Sequence, residues 1–160
     1  MTDSPIPSAP LAEKKLLSIL IQEPAKFIPK ILGDGITSEF FYIHKDAWSL
    51  IVDRFHAGKS LDPVHVYEEE KATSRLESIG GIPGFVEIMN FSPGVPGDTY
   101  SYDVGLIREA AARRTAYLAG IELQGTYNGT EVAETVESVE NLLETLQSML
   151  TAPQLSLIHI

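Results

Sequence analysis

Between residues 132 and 150 the chain places Val132, Val136, Val139, Leu143, Leu146 and Leu150 at spacings that alternate four and three. That is a heptad pattern, the signature of a helix whose apolar seam lies against another helix. Glu131, Glu134, Glu137, Glu140 and Glu144 fill the positions between. The preceding stretch, from Asp98, has the same helical character. Val104, Ile107, Ala111 and Leu118 share one face, and Tyr102, Leu106, Ala110 and Tyr117 share a neighbouring one. Only Tyr127-Asn128-Gly129-Thr130 interrupts the two runs, and a connection this short folds two helices back as an antiparallel hairpin. In that register Arg113 and Arg114 come level with Glu140 and Glu144, where the opposite charges would complement each other. Residues 132–150 are expected to pack along the first arm. The apolar arc of the first arm is too wide for one partner helix, so the hairpin reads as an association element.

The rest of the chain breaks into short helices. Residues 1–9 contain Pro and Ser and read as a loose tail. Pro10 opens a run from Leu11 to Glu23, crowded with Leu16, Leu17, Ile19, Leu20 and Ile21, and Pro24 ends it or restarts a helix. A short helix from Ala25 to Leu32 follows, closed by Gly33-Asp34-Gly35. After the apolar cluster Phe40 to Ile43, the stripe Trp48, Ile51, Val52 and Phe55 predicts an amphipathic helix from Lys45 to Ala57. Asp62 is a good N-cap with Pro63 at the first helical position, predicting a helix to Lys71. Arg75 to Gly80-Gly81 is a short turn, and Ile82, Phe85, Val86, Ile88 and Met89 make one more helix. A stiff loop, Phe91 to Gly97, leads to Asp98 as N-cap of the hairpin. Residues 151–160 depart from the heptad and end in Leu155-Ser156-Leu157-Ile158-His159-Ile160, which reads as a non-native or disordered tail. The fold expected is all-α. A compact bundle of five to six short helices spans residues 10–97, and a long antiparallel helical hairpin spans residues 98–150.

Composition narrows the function. With 22 acidic against 12 basic residues the formal net charge is −10, and a chain so acidic makes a poor autonomous nucleic-acid binder, since phosphate contacts need clustered Lys and Arg. The absence of cysteine removes disulfides, thiolate zinc sites and thiol nucleophiles, and fits a cytoplasmic location. No apolar run reaches the roughly 18 residues of a membrane span, and the N-terminus lacks the features of a signal peptide.

No motif assembles a catalytic constellation. Gly58-Lys59-Ser60 has the end of a phosphate-binding loop, but Asp53 stands where the first glycine belongs and the triplet follows an amphipathic helix rather than a strand. It reads as a C-cap glycine with a solvated lysine. His44, His56, His65 and His159 show no paired ligand spacing. His44 is expected as a capping or core residue. Glu68-Glu69-Glu70 reads as a solvated face. No catalytic, cofactor-binding or metal-binding residue is assigned, and the segment by itself is not expected to be an enzyme.

Four stretches in order resemble the N-terminal domain of DnaB-type replicative DNA helicases. Leu11-Ala12-Glu13 with Leu16, Leu17, Leu20, Ile21 and Pro24 is similar to that family's opening helix. Phe40-Phe41, His44, Trp48, Ile51, Gly58 and Leu61-Asp62-Pro63-Val64 resemble its second segment. Gly80-Gly81, Phe85, Asn90 and Pro93 resemble its glycine turn. Tyr102, Ile107-Arg108-Glu109-Ala110 and Arg113-Arg114 resemble its long helix. Pro63 and Ala111 depart from the family's usual residues, and Gly120 and Gly125 stand inside the first arm, where each costs about 1 kcal/mol.

The resemblance implies a collar on a ring-shaped hexamer that acts in DNA replication. Hairpins would pair between neighbouring subunits, and the collar would dock the C-terminal region of primase and a helicase loader. ATP and Mg²⁺ would belong to a downstream motor domain, through which alone DNA would be engaged; the parent protein would then be an ATP-dependent helicase. The interface residues implied are Tyr102, Leu106, Ala110, Arg113, Arg114, Tyr117, Ile121, Val136, Val139, Leu143 and Leu146. The other reading is a stand-alone helical adaptor, such as a helicase loader, an inhibitor or a primase-like helicase-binding domain.

Overall fold

A computed structural model of the chain describes residues 6–92, 97–127 and 131–158, and side chains through Leu150 apart from Thr126 and Tyr127. Helices α1 (Pro10–Gln22), α2 (Pro24–Gly33), α3 (Lys45–His56), α4 (Pro63–Glu70), α5 (Ser74–Ser78) and α6 (Gly81–Met89) precede the long helices α7 (Tyr100–Tyr127) and α8 (Val132–Ile158). A single 3-10 turn, Ser38–Phe40, lies before α3, and there is no strand among the described residues. The architecture is all-α, with six short helices ahead of two long ones. None of the described helices is long and apolar enough to cross a membrane. The chain divides into two compact units: Ala9–Ile107, and Arg108–Ile160 together with the N-terminal segment through Ser8.

The first unit is built around α1. Its middle, Leu16 to Ile21, is apolar on nearly every side, and a helix of that kind must be surrounded. Accordingly α1 packs on α2, α3 and α6, and Leu16, Leu17, Ile19 and Leu20 are fully buried. The 3-10 turn buries Phe40 and Phe41 but leaves Tyr42 and Ile43 exposed, so the four-residue apolar cluster splits. Phe41 stacks on Trp48 of α3 with ring centroids 4.7 Å apart. Ser18 is the polar exception on α1. Its hydroxyl donates to the Met89 carbonyl at 2.8 Å, and the Gln22 amide donates to the same carbonyl at 2.9 Å and to Ser92 O at 3.1 Å. These bonds satisfy carbonyls at and beyond the C-terminus of α6 that have no partner within the helix.

Glu13 is the other buried polar group of α1. Its carboxylate accepts the backbone amides of Tyr42 (2.9 Å), Ile43 (3.1 Å) and His44 (2.9 Å). The His44 ring lies at 3.1 Å through Nδ1, and because an ionised carboxylate only accepts, Nδ1 carries the proton. His44 is the N-cap residue of α3, so the carboxylate sits where amides converge and the helix dipole favours negative charge. The capping role expected of His44 is therefore filled by its backbone and by the residue opposite.

A second polar tie joins α3 to α4. Arg54 is 2% exposed. It donates through Nε and Nη2 to the Ser60 carbonyl (2.9 and 2.6 Å) and through Nη1 to Glu70 (3.2 Å), and Nη2 pairs with Glu69 at 2.9 Å. Glu70 is itself buried. The acidic run expected as a solvated face is exposed at Glu68 and at Glu69, which pairs with the guanidinium from the surface, and is buried at Glu70 alone. Gly58 adopts φ +72° after α3, and the Lys59 amide reaches back to Arg54 O at 2.8 Å. The Gly-Lys-Ser triplet is a helix terminus, as its sequence context indicates. Asp62 caps α4 by accepting the Val64 amide at 2.9 Å. Gly80 and Gly81 both have positive φ, and a Cβ on Gly84 would collide with the Ile79 carbonyl, which explains the glycines at this turn.

Burial opposes the Glu13 charge, but hydrogen bonds from the His44 ring and the Tyr42 and His44 amides outweigh it and hold the carboxyl below its ordinary range. A carboxylate so depressed stabilises the fold at pH values above its unfolded pKa, and that contribution is lost as pH falls through the folded value. Replacement by Gln is expected to cost about 3 kcal/mol at neutral pH, because buried amides lose their charged acceptor. The E13Q variant should also lose less stability on acidification than the wild type. Thermal melts of both proteins from neutral to acid pH would measure the two effects together.

Candidate association surface

The second unit holds the hairpin from Arg108 onward together with the N-terminal segment through Ser8. Tyr127 closes α7 and Val132 opens α8; Asn128, Gly129 and Thr130 lie outside the described residues, as do Pro93 to Pro96 of the loop before α7. The first arm begins at Tyr100, so Thr99 rather than Asp98 immediately precedes the helix. The Thr99 hydroxyl donates to Asp103 at 2.8 Å, and the Asp103 amide donates to Thr99 O. The second arm does not stop at Leu150. Its helix continues to Ile158, because a helical backbone does not require a heptad to propagate.

The arms run antiparallel. Arg108 donates to the Met149 carbonyl at 3.0 Å, and the Thr115 hydroxyl, which donates to Ala111 O at 3.0 Å, lies 3.5 Å from the Met149 sulfur. The face of α8 that is covered is Thr135, Leu142 and Met149, with Val139 and Leu146 at its edge. At 100° per residue this face lies roughly 80° from the centre of the heptad seam. The seam therefore does not pack squarely on the first arm. Val139 and Leu146 are half-buried, while Val132 (62%), Val136 (49%), Leu143 (48%) and Leu150 (52%) stay exposed. Small and polar residues in α7 explain the turn: Ala111 and Thr115 offer a shallow face that Met149 fills.

The expected arginine–glutamate complement between the arms is also redirected. Arg113 pairs with Glu109 on its own helix through Nη2 at 2.6 Å. Arg114 is buried and donates to the Pro7 carbonyl at 2.8 Å. Glu140 and Glu144 are exposed.

Of the residues expected at an interface, Ile121, Val136 and Leu143 are exposed, Tyr117, Val139 and Leu146 are half-buried, Arg113 is exposed and Ala110 and Arg114 are buried. Tyr102 is exposed and Leu106 half-buried, and both belong to the first unit. Leu118 and Leu123 of the first arm are exposed as well. Leu118 repeats the position of the buried Ala111 one heptad on, so the apolar face of α7 is covered at its near end and open toward the tip. Seven large apolar side chains of this unit, Leu118, Ile121, Leu123, Val132, Val136, Leu143 and Leu150, are thus in contact with water. An exposed apolar stripe of that kind makes this the candidate interaction surface.

The first unit holds an open cavity of about 510 Å³ lined by Tyr67, Lys71, Leu76, Glu77, Gly80, Gly81 and Ile82. A cavity of about 280 Å³ is lined by Lys14, His44, Asp46, Ser78 and Glu87 among others. Its polar groups serve one another: Lys14 pairs with Glu87, holding that carboxyl below its usual range, Ser78 donates to Asp46 at 2.7 Å, and His44 is held by Glu13. No group of three His, Cys, Asp or Glu side chains that could hold a metal exists among the described residues.

Gly120 lies on the exposed side of α7, and a Cβ there meets nothing within 4 Å. Replacement by Ala should stabilise the hairpin by about 0.5–1 kcal/mol, since glycine in a helix interior loses more backbone entropy on folding. A rise in thermal midpoint for G120A, with unchanged helicity by circular dichroism, is the expected result.

The family described as DnaB-like helicase N terminal domain matches residues 6–103. Eleven chains of known structure match this one. Among them is the crystal structure of the N-terminal domain of DnaB helicase from Mycobacterium tuberculosis, at 24% identity and a TM-score of 0.71, covering 87% of this chain and 98% of that one. That likeness is one of fold. No curated protein sequence matches. With well over half of its length matched to the family, the chain belongs to the DnaB-like helicase N-terminal domain family of replicative helicases.

Proposed function

We propose that the chain is an oligomerisation and docking domain of a replicative helicase, and that its hairpin is the element that pairs with the hairpin of a neighbouring subunit. Membership of the family implies oligomerisation in helicase assemblies. The observation that carries the assignment to the hairpin is its row of exposed apolar residues on both arms. Fully burying a Val or Leu side chain is worth roughly 1.5–3 kcal/mol, so several of them turned to water in the monomer supply a driving force that a second hairpin would satisfy. The arrangement extends to a hexameric collar in which hairpin pairs repeat around the ring, with the C-terminal region of primase or a helicase loader docking on the assembled collar. ATP and Mg²⁺ act, in this reading, in a motor domain of the same helicase. DNA is reached through that motor, which accords with a domain of net charge −10.

The test is the molar mass of the chain in solution across a range of concentrations, by light scattering. Wild type is expected to rise from monomer to dimer or larger. The I121D/L143D variant should stay monomeric with its helicity retained, because both positions are already about half exposed (48% each) and the substitution removes nothing from the monomer's core. A variant whose mass follows the wild type at every concentration would sink the hairpin assignment.

A further inference from the structure

Arg114 stands four residues before Leu118 and seven before Ile121, so the three share one side of α7. The latter two are exposed. Arg114 is not, although a guanidinium at the surface of a hairpin would ordinarily reach water. What lies against it is the chain's own N-terminal segment: Nη1 donates to the Pro7 carbonyl at 2.8 Å across 107 residues of sequence. Ile6, Pro7 and Ser8 are half-buried. The segment through Ser8 groups with the hairpin rather than with α1, which begins two residues later. The neighbouring side chains on α7, Ala110, Ala111 and Thr115, are small and buried.

We propose that Ile6–Ser8 is a strap seated on α7 at Arg114, and that it limits how far a partner hairpin can extend along the α7 stripe from Ile121 and Leu118 toward Arg114. The inference rests on hairpin pairing as described above. A partner that reaches past Leu118 meets the strap and must displace it. The hydrogen bond to Pro7 is then exchanged for a bond to the partner, and the pairing constant carries the cost of opening. The strap is thus an internal competitor that weakens pairing in the isolated chain and sets where the interface ends.

If the strap is seated for four-fifths of the time or more, its removal tightens the apparent dissociation constant about fivefold or more. The experiment is sedimentation equilibrium on the full chain, on a form lacking residues 1–8, and on R114K. R114K keeps the chain whole and the charge in place but loses the fork-shaped donor set of arginine. Tighter pairing of the deleted form, tighter pairing of R114K to a smaller degree, and reversal of the deletion by a synthetic peptide of residues 1–10 are the expected results. Unchanged or weaker pairing in both altered forms, while the full chain still pairs, would overturn the strap and leave hairpin pairing standing. Absence of pairing in all three proteins would overturn both.

Discussion

A carboxylate buried on one helix and three successive amides at the start of another define the first unit. Glu13 of α1 receives Tyr42, Ile43 and His44 at the entry to α3, and everything between, namely α2, its terminal glycines and the 3-10 turn, is a closed loop of chain whose ends that contact pins. The geometry sets the direction in which α3, with its buried Trp48, Leu50 and Ile51, leaves to pack on α1. Replacing the carboxylate by an apolar side chain would bury amides with no acceptor, and only water entering the core could then satisfy them.

Much of this unit was legible in its residues. Prolines at helix starts, Asp62 before Pro63, and glycines after α2 and α3 are local signals whose physics involves few neighbours, and the helices begin and end close to where they indicate. The polar ties were not legible in the same way. Glu13 and His44 stood out separately in the family resemblance, yet nothing in a linear chain joins residues thirty-one positions apart. Glu70 was taken for a solvent-facing residue because an acidic triplet normally is; a buried arginine sixteen residues before it is what draws it out of water, while Glu68 and Glu69 stay exposed.

The hairpin shows the opposite balance. Its two helices and their antiparallel course follow from periodicity and a short connection. Which way α8 turns about its own axis depends on side-chain size in α7, and Ala111 and Thr115 accept Met149 rather than the heptad residues. A pattern of apolar positions gives the width of a helix's greasy arc, but the partner decides which part of the arc is covered. The candidate surface is the part left over, and for that reason only some of the residues expected at an interface lie on it. Family membership adds the setting in which such a surface has a use.

The Arg54–Glu70 tie has a consequence for how sequences related to this one can differ. Removing Glu70 leaves the guanidinium to Glu69 and the Ser60 carbonyl, and removing Arg54 leaves the Glu70 carboxylate to Arg75 at 3.6 Å, so each single change costs part of the roughly 3–5 kcal/mol of a broken buried pair, whereas replacing both by well-packed apolar residues is often neutral or even favourable. Single changes at these two positions are therefore costlier than a double change. Lineages should fall mostly into two groups, those with both charges and those with neither, with the intermediates rare. Such a pair is held in place by the cost of the single steps that lead away from it, which is a matter of accessibility in sequence space rather than of the stability the pair confers.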